Sequence, residues 1–126
     1  MLLRDHESSR LLQHKTAIEQ YEMQINDCKL ELENENISDR TKSEIESFMA
    51  FIISNNTLER HRMKNFALEM QNQAGLSSFD EFVNSVLAAL AELEKVIAKL
   101  PEDIRKPIAE LIKKVKAALE FLKKLF

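Results

Sequence analysis

His14 and Glu59 are the first residues to weigh for chemistry. An imidazole beside a carboxylate can move protons near neutral pH, or supply half of a metal site. Catalysis also needs a pocket and a third group, and a zinc site needs three or four ligands. His6 falls about two helical turns from His14, and His61 projects to another face of its helix, so neither completes such a set. The pair therefore reads as a partly solvated ion pair, and no catalytic, metal-binding or cofactor-binding residue is assigned. Tyr21 and Asn56 read as a buried hydrogen bond that fixes helix register, as a single polar core residue does in coiled coils. Cys28, the only cysteine, lies on an apolar stripe and reads as a small core residue. With a single glycine there is no phosphate-cradling loop, and no Cys-x-x-Cys pair or Ser–His–Asp set stands out.

These side chains belong to helices. Leu11, His14, Ile18, Tyr21, Ile25, Cys28 and Leu32 recur in steps of three and four, which predicts a helix over residues 2–35. The polar stretch at residues 34–39 breaks it, with Ser38, Asp39 or Thr41 available as caps and Thr41–Glu44 spaced as a capping box. Ile45, Met49, Ile52, Asn56, Glu59, Met63, Phe66 and Met70 continue the stepping through a second helix over 39–73, which Gly75 should end in a left-handed conformation. Ser78 and Glu81 open a third helix over 78–100, and Pro101 stops it. Glu102 and Asp103 favour a helix start, so the fourth helix is placed at 102–125, with Pro107 tolerated in its first turn.

The expected fold is all-α: an antiparallel four-helix arrangement in which a long α-hairpin, 1–75, precedes a shorter one, 76–126, the two packed as one domain. A first turn near 37–39 sets Ile25 against Ile52, Tyr21 against Asn56 and Ile18 against Glu59. The second hairpin sets Ile97 against Ile108, Leu93 against Leu111 and Leu90 against Val115. The halves differ in character. Residues 1–75 have a net charge of −4 and hold seven of the eight asparagines and every histidine, whereas residues 76–126 have a net charge of +1. In the second half, propensity, capping and heptad pattern agree almost everywhere, notably across Leu100-Pro101-Glu102-Asp103-Ile104 and Ala109–Lys114. In this respect residues 76–126 resemble computationally idealised helical bundles. That resemblance implies an engineered scaffold or fusion in which the second hairpin stabilises a natural first one.

Phe48-Met49-Ala50-Phe51-Ile52-Ile53 is the feature that points furthest toward function. Six successive apolar residues cover the whole circumference of a helix, wider than a two-helix contact can bury. A helix of about 33 residues spans roughly 50 Å and one of about 21 roughly 32 Å, so the short hairpin can cover only part of the long one. The tip around 25–52 is expected to protrude, with Phe48, Met49, Phe51, Ile52 and Ile53 as an interface and His14, Tyr21, Asn56 and Glu59 as a polar seam.

A net charge of −3 disfavours general nucleic-acid binding. The basic amphipathic segment 107–126 is the one hint of a membrane surface, and pairing with the third helix makes a solvated lysine face the better reading. Charged Arg4, Asp5 and Glu7 follow Met1-Leu2-Leu3 without a secretory-signal pattern, and the lone cysteine implies no oxidising compartment, so a cytoplasmic protein is expected. The expected function is non-enzymatic: a helical adaptor, chaperone-like or structural module that self-associates or binds a helical protein through the long hairpin. Its shape resembles the coiled-coil accessory proteins and chaperones of bacterial export systems, and small phage and viral proteins that bind host factors. The alternatives are the engineered scaffold and a small metal-binding or enzymatic bundle using His14 and Glu59.

Overall fold

In the computed structural model, which describes residues 2–126, the chain is four α-helices: α1 (Asp5–Leu32), α2 (Asp39–Gln73), α3 (Phe79–Ile97) and α4 (Glu102–Leu125). The fold is all-α, with α1 and α2 forming a long antiparallel hairpin and α3 and α4 a shorter one. The helix α4 touches all three others, whereas α3 meets only α2 and α4, so both short helices pack on α2, and of the two α4 alone reaches α1.

Local chemistry sets the helix ends. Glu7 accepts a hydrogen bond from the Arg4 backbone N–H at 2.8 Å, which starts α1 at Asp5 rather than at residue 2. After Leu32 the Asn34 side chain accepts from the Asn36 N–H at 3.0 Å and turns the chain, so α1 stops three residues short of the predicted limit. Of the three candidate caps for α2, Ser38 is the one used, accepting from the Thr41 N–H at 3.1 Å. Glu44 pairs with Arg40 instead of closing a box with Thr41.

Gly75 ends α2 with φ +72°. The Leu76 N–H reaches the Gln71 carbonyl at 3.2 Å and the Gly75 N–H reaches Asn72 at 3.0 Å, the paired bonds of a Schellman motif. Ser78 accepts from the Glu81 N–H at 3.3 Å to start α3. That helix ends at Ile97, not residue 100, because Lys99 and Leu100 donate to carbonyls three residues back in a tightened last turn before Pro101. Pro101 then serves as the residue before α4, its carbonyl accepting from Ile104 and Arg105. Pro107 falls in the second turn, one turn later than predicted, and the helix runs through it.

All four helices contribute to one hydrophobic cluster, and its composition locates the contact between the hairpins. From the long hairpin it takes Leu11 and Ile18 of α1, with Met63, Phe66, Ala67 and Met70 of α2. The short hairpin adds Phe82, Val83, Val86 and Leu90 from α3, and Ile112, Val115, Leu119 and Leu122 from α4. Fully buried Ala67 and Ala118 leave room for the helices to pack closely. No member of this cluster comes from the stretch between Ile18 and Met63. That stretch, the far half of the long hairpin, extends past the core as a two-helix arm.

Candidate functional site

Within the hairpin seam, His14 Nδ1 lies 2.6 Å from Glu59 Oε1. A carboxylate only accepts, so the imidazole donates through Nδ1. Glu59 Oε2 also meets Arg62 at 3.6 Å. Polar pairs straddle the expected level of Ile18 and Glu59: Glu59 reaches back one turn to His14, and Arg60 reaches the other way to Glu22. The pair is more enclosed than a partly solvated one, with the two side chains 10% and 14% exposed. His14 packs against Phe66, and the Arg10 guanidinium lies 4.2 Å from the centre of the same ring. His14 Nε2, the nitrogen a general base would turn toward substrate, is buried and meets no partner among the described residues. Lys15, the next residue along α1, pairs with Glu19. Among the described residues, no group of three or more His, Cys, Asp or Glu side chains could hold a metal ion. The pair is thus enclosed on the inner face of the long hairpin.

The expected Tyr21–Asn56 hydrogen bond does not form. Asn56 is buried, but its Oδ1 finds no partner among the described residues, and Tyr21 is half-buried. Helical spacing placed both residues on the seam, but a shared level does not bring a short amide to a phenol carried near the seam's edge. Cys28 is a buried free thiol on the arm, outside the main core.

Outside this seam the arm carries exposed apolar surface. Phe48, Phe51 and Ile53 are 50%, 61% and 44% exposed, while Met49 is half-buried. Ile52 is buried in the seam at 5% exposure, so it belongs to the hairpin's own packing and contributes nothing to an outer face. At about 100° per residue, Phe51 and Ile53 point roughly 200° apart, which places exposed apolar groups on two sides of α2.

One of those sides is a stripe. Phe48, Phe51, Asn55 and Leu58 follow steps of three, four and three, and each immediately precedes a seam residue (Met49, Ile52, Asn56, Glu59). The helix α2 therefore carries two parallel heptad rows about 100° apart, one folded against α1 and one facing outward. Leu58 is 47% exposed and Asn55 half-buried. The row ends in Glu44 and Arg62, both exposed, with side chains 66% and 59% accessible. On α1, exposed Met23 and Leu30 are seven residues apart on one face of the arm. Sequence reasoning missed Asn55, Leu58, Met23 and Leu30. The signal for the first two was the doubled heptad, a second row in which each residue directly precedes a seam residue.

The basic face of α4 shows no comparable opportunity. Ile112, Val115, Ala118, Leu119 and Leu122 are buried in the core, while Lys116 pairs with Glu94 and Lys123 with Glu120. No helix of the described chain is long and apolar enough to cross a membrane. Compared with protein-family models, curated proteins and solved structures, the chain matches none.

Proposed function

We propose that this protein is a non-enzymatic helical interaction module that associates with another helical surface through the outward face of its arm. The observation that carries the reading is the row Phe48, Phe51, Leu58: three large apolar side chains, each about half exposed or more, at coiled-coil spacing on a segment that lies past the core. Exposed apolar residues are normal when scattered. Here they are in register with one another, and the same helix already uses that register to pair with α1. In this account the compact end formed by α3 and α4 anchors the hairpin, and the arm presents the contact. The enclosed His14–Glu59 pair holds the seam near the root of the arm.

Light scattering over a concentration series tests this with Phe48→Glu and Phe51→Glu, using Ile104→Glu as control, since Ile104 is equally exposed but lies on α4. Association is expected in the parent protein and in the control, and its loss in both arm variants, with circular dichroism unchanged in all. Association that persists in both arm variants would remove the arm from the account.

A further inference from the structure

Resting on that reading, we infer that the partner is a second copy of this chain, paired antiparallel through the outer row of α2 about a two-fold axis level with residue 53. The row is Glu44, Phe48, Phe51, Asn55, Leu58 and Arg62; when reversed, its ends match in charge and Phe48 and Leu58 match as apolar groups, with Phe51 against Asn55 as the one mismatch. Turned end for end about its midpoint, it sets Phe48 against Leu58 of the second copy, Phe51 against Asn55, and Glu44 against Arg62. A two-fold interface requires this kind of self-complementarity, because each residue's counterpart must in turn accept that residue.

Charge gives the direction. In the antiparallel arrangement both ends of the row match an acid with a base, Glu44 with Arg62 at one end and Arg62 with Glu44 at the other. A parallel pairing would instead oppose Glu44 to Glu44 and Arg62 to Arg62, which is unfavourable. Both groups are free to turn: their present partners, Arg40 at 3.3 Å and Glu59 at 3.6 Å, are near neighbours along the same helix in exposed or weak pairs. Ser47 and Ser54 flank the row on one side, and on the other Asp27 and Glu31 of α1 line a groove with Glu44 and Phe48, which adds negative charge at the end that receives Arg62. Asn55 is the single polar residue inside the row. Opposite Phe51 its amide meets no polar counterpart, which lowers the affinity of the pairing. The compact ends of the two copies then lie at opposite ends of the dimer.

From Glu44 to Arg62 the row is about 27 Å long. One helix-to-helix contact of that length falls at the low end of specific interfaces, below about 1,200 Å² in total, so the dimer is expected to be weak and reversible. Sedimentation equilibrium on the full chain, loaded at several concentrations, reads it directly. Glu44→Arg and Arg62→Glu, each alone, oppose like charges at both ends and are expected to weaken association at least fivefold. The double variant E44R/R62E restores the matching and is expected to return within about twofold of the parent. A double variant as weak as the singles would overturn the antiparallel register, yet leave the arm as the contact if Phe51→Glu still abolishes association. A parent protein that stays monomeric at every concentration would overturn the second-copy assignment itself. Association indifferent to Phe51→Glu would overturn both this inference and the functional reading beneath it.

Discussion

Replacing Asn56 with leucine should stabilise this protein, which is unusual for a substitution at a buried site. Asn56 is 9% exposed on the seam face of α2, and its Oδ1 is buried without a hydrogen-bond partner. A buried acceptor left unsatisfied costs about 1–3 kcal/mol. Leucine keeps the branch at Cγ and the number of heavy atoms while its methyl groups are larger, so Asn56→Leu removes that penalty and adds apolar burial of about 1 kcal/mol, partly offset by tighter packing. A net gain of about 2 kcal/mol is expected. For a chain of 126 residues, unfolding entropy of about 2.1 cal/mol/K per residue converts this into a Tm rise of about 8 °C. Thermal unfolding followed by far-UV circular dichroism, in dilute protein so that association does not contribute, measures it. A fall in Tm of several degrees would show that Asn56 is satisfied in solution, and the description of an imperfect polar seam would be wrong.

The neighbouring Asn55→Leu provides the contrast: it should leave Tm in dilute solution almost unchanged and strengthen self-association severalfold, measured by sedimentation, because Asn55 sits in the outer row. Leu11→Ala and Ile18→Ala, both in fully buried side chains of the shared core, should each cost about 2–5 kcal/mol in denaturant unfolding. Gly75→Ala should cost about 1–2 kcal/mol through its φ of +72° alone, since an added Cβ meets nothing within 4 Å, and Gly75→Asn should cost less. Burial raises the Glu7 pKa, but hydrogen bonds from the Arg4 backbone and side chain, with the charges of Arg4 and His6, outweigh it and leave the pKa below its ordinary value. A carboxyl lowered in the folded state stabilises above its unfolded pKa, and that stability is lost as pH falls through the folded value. Parent protein should therefore exceed Glu7→Gln in stability at neutral pH, with the difference vanishing in acid, as urea titrations at both pH values would show.

How much of this was legible in the sequence follows from what heptad spacing can and cannot carry. Steps of three and four placed Leu11, Ile18, Met63 and Met70 on buried faces, where the structure has them. Turn chemistry placed Gly75 in its left-handed conformation, because one residue type answers one backbone requirement. Which of three adjacent capping residues would start α2 was not legible, since Ser38, Asp39 and Thr41 differ little in cap strength and the outcome rests on where the turn releases the chain. The run Phe48–Ile53 signalled excess apolar surface but not its division between seam and solvent. Ile52 and Ile53 differ by one residue and about 100°, which separates 5% from 44% exposure. Tyr21 and Asn56 failed as a pair for a related reason: spacing assigns a face and a level, whereas a hydrogen bond depends on rotamers and on how two helices cross. The outer row was written in the sequence all along, hidden by Asn55 in its middle and by the seam row beside it.

Amide chemical shifts recorded from dilute to concentrated protein show whether the outer row of the arm is the contact surface. Concentration-dependent shifts are expected to be confined to residues 44–62, strongest at Phe48, Phe51, Asn55 and Leu58, with α3 and α4 unmoved. Shifts centred on the lysine face of α4, or spectra invariant across the series, would contradict that assignment.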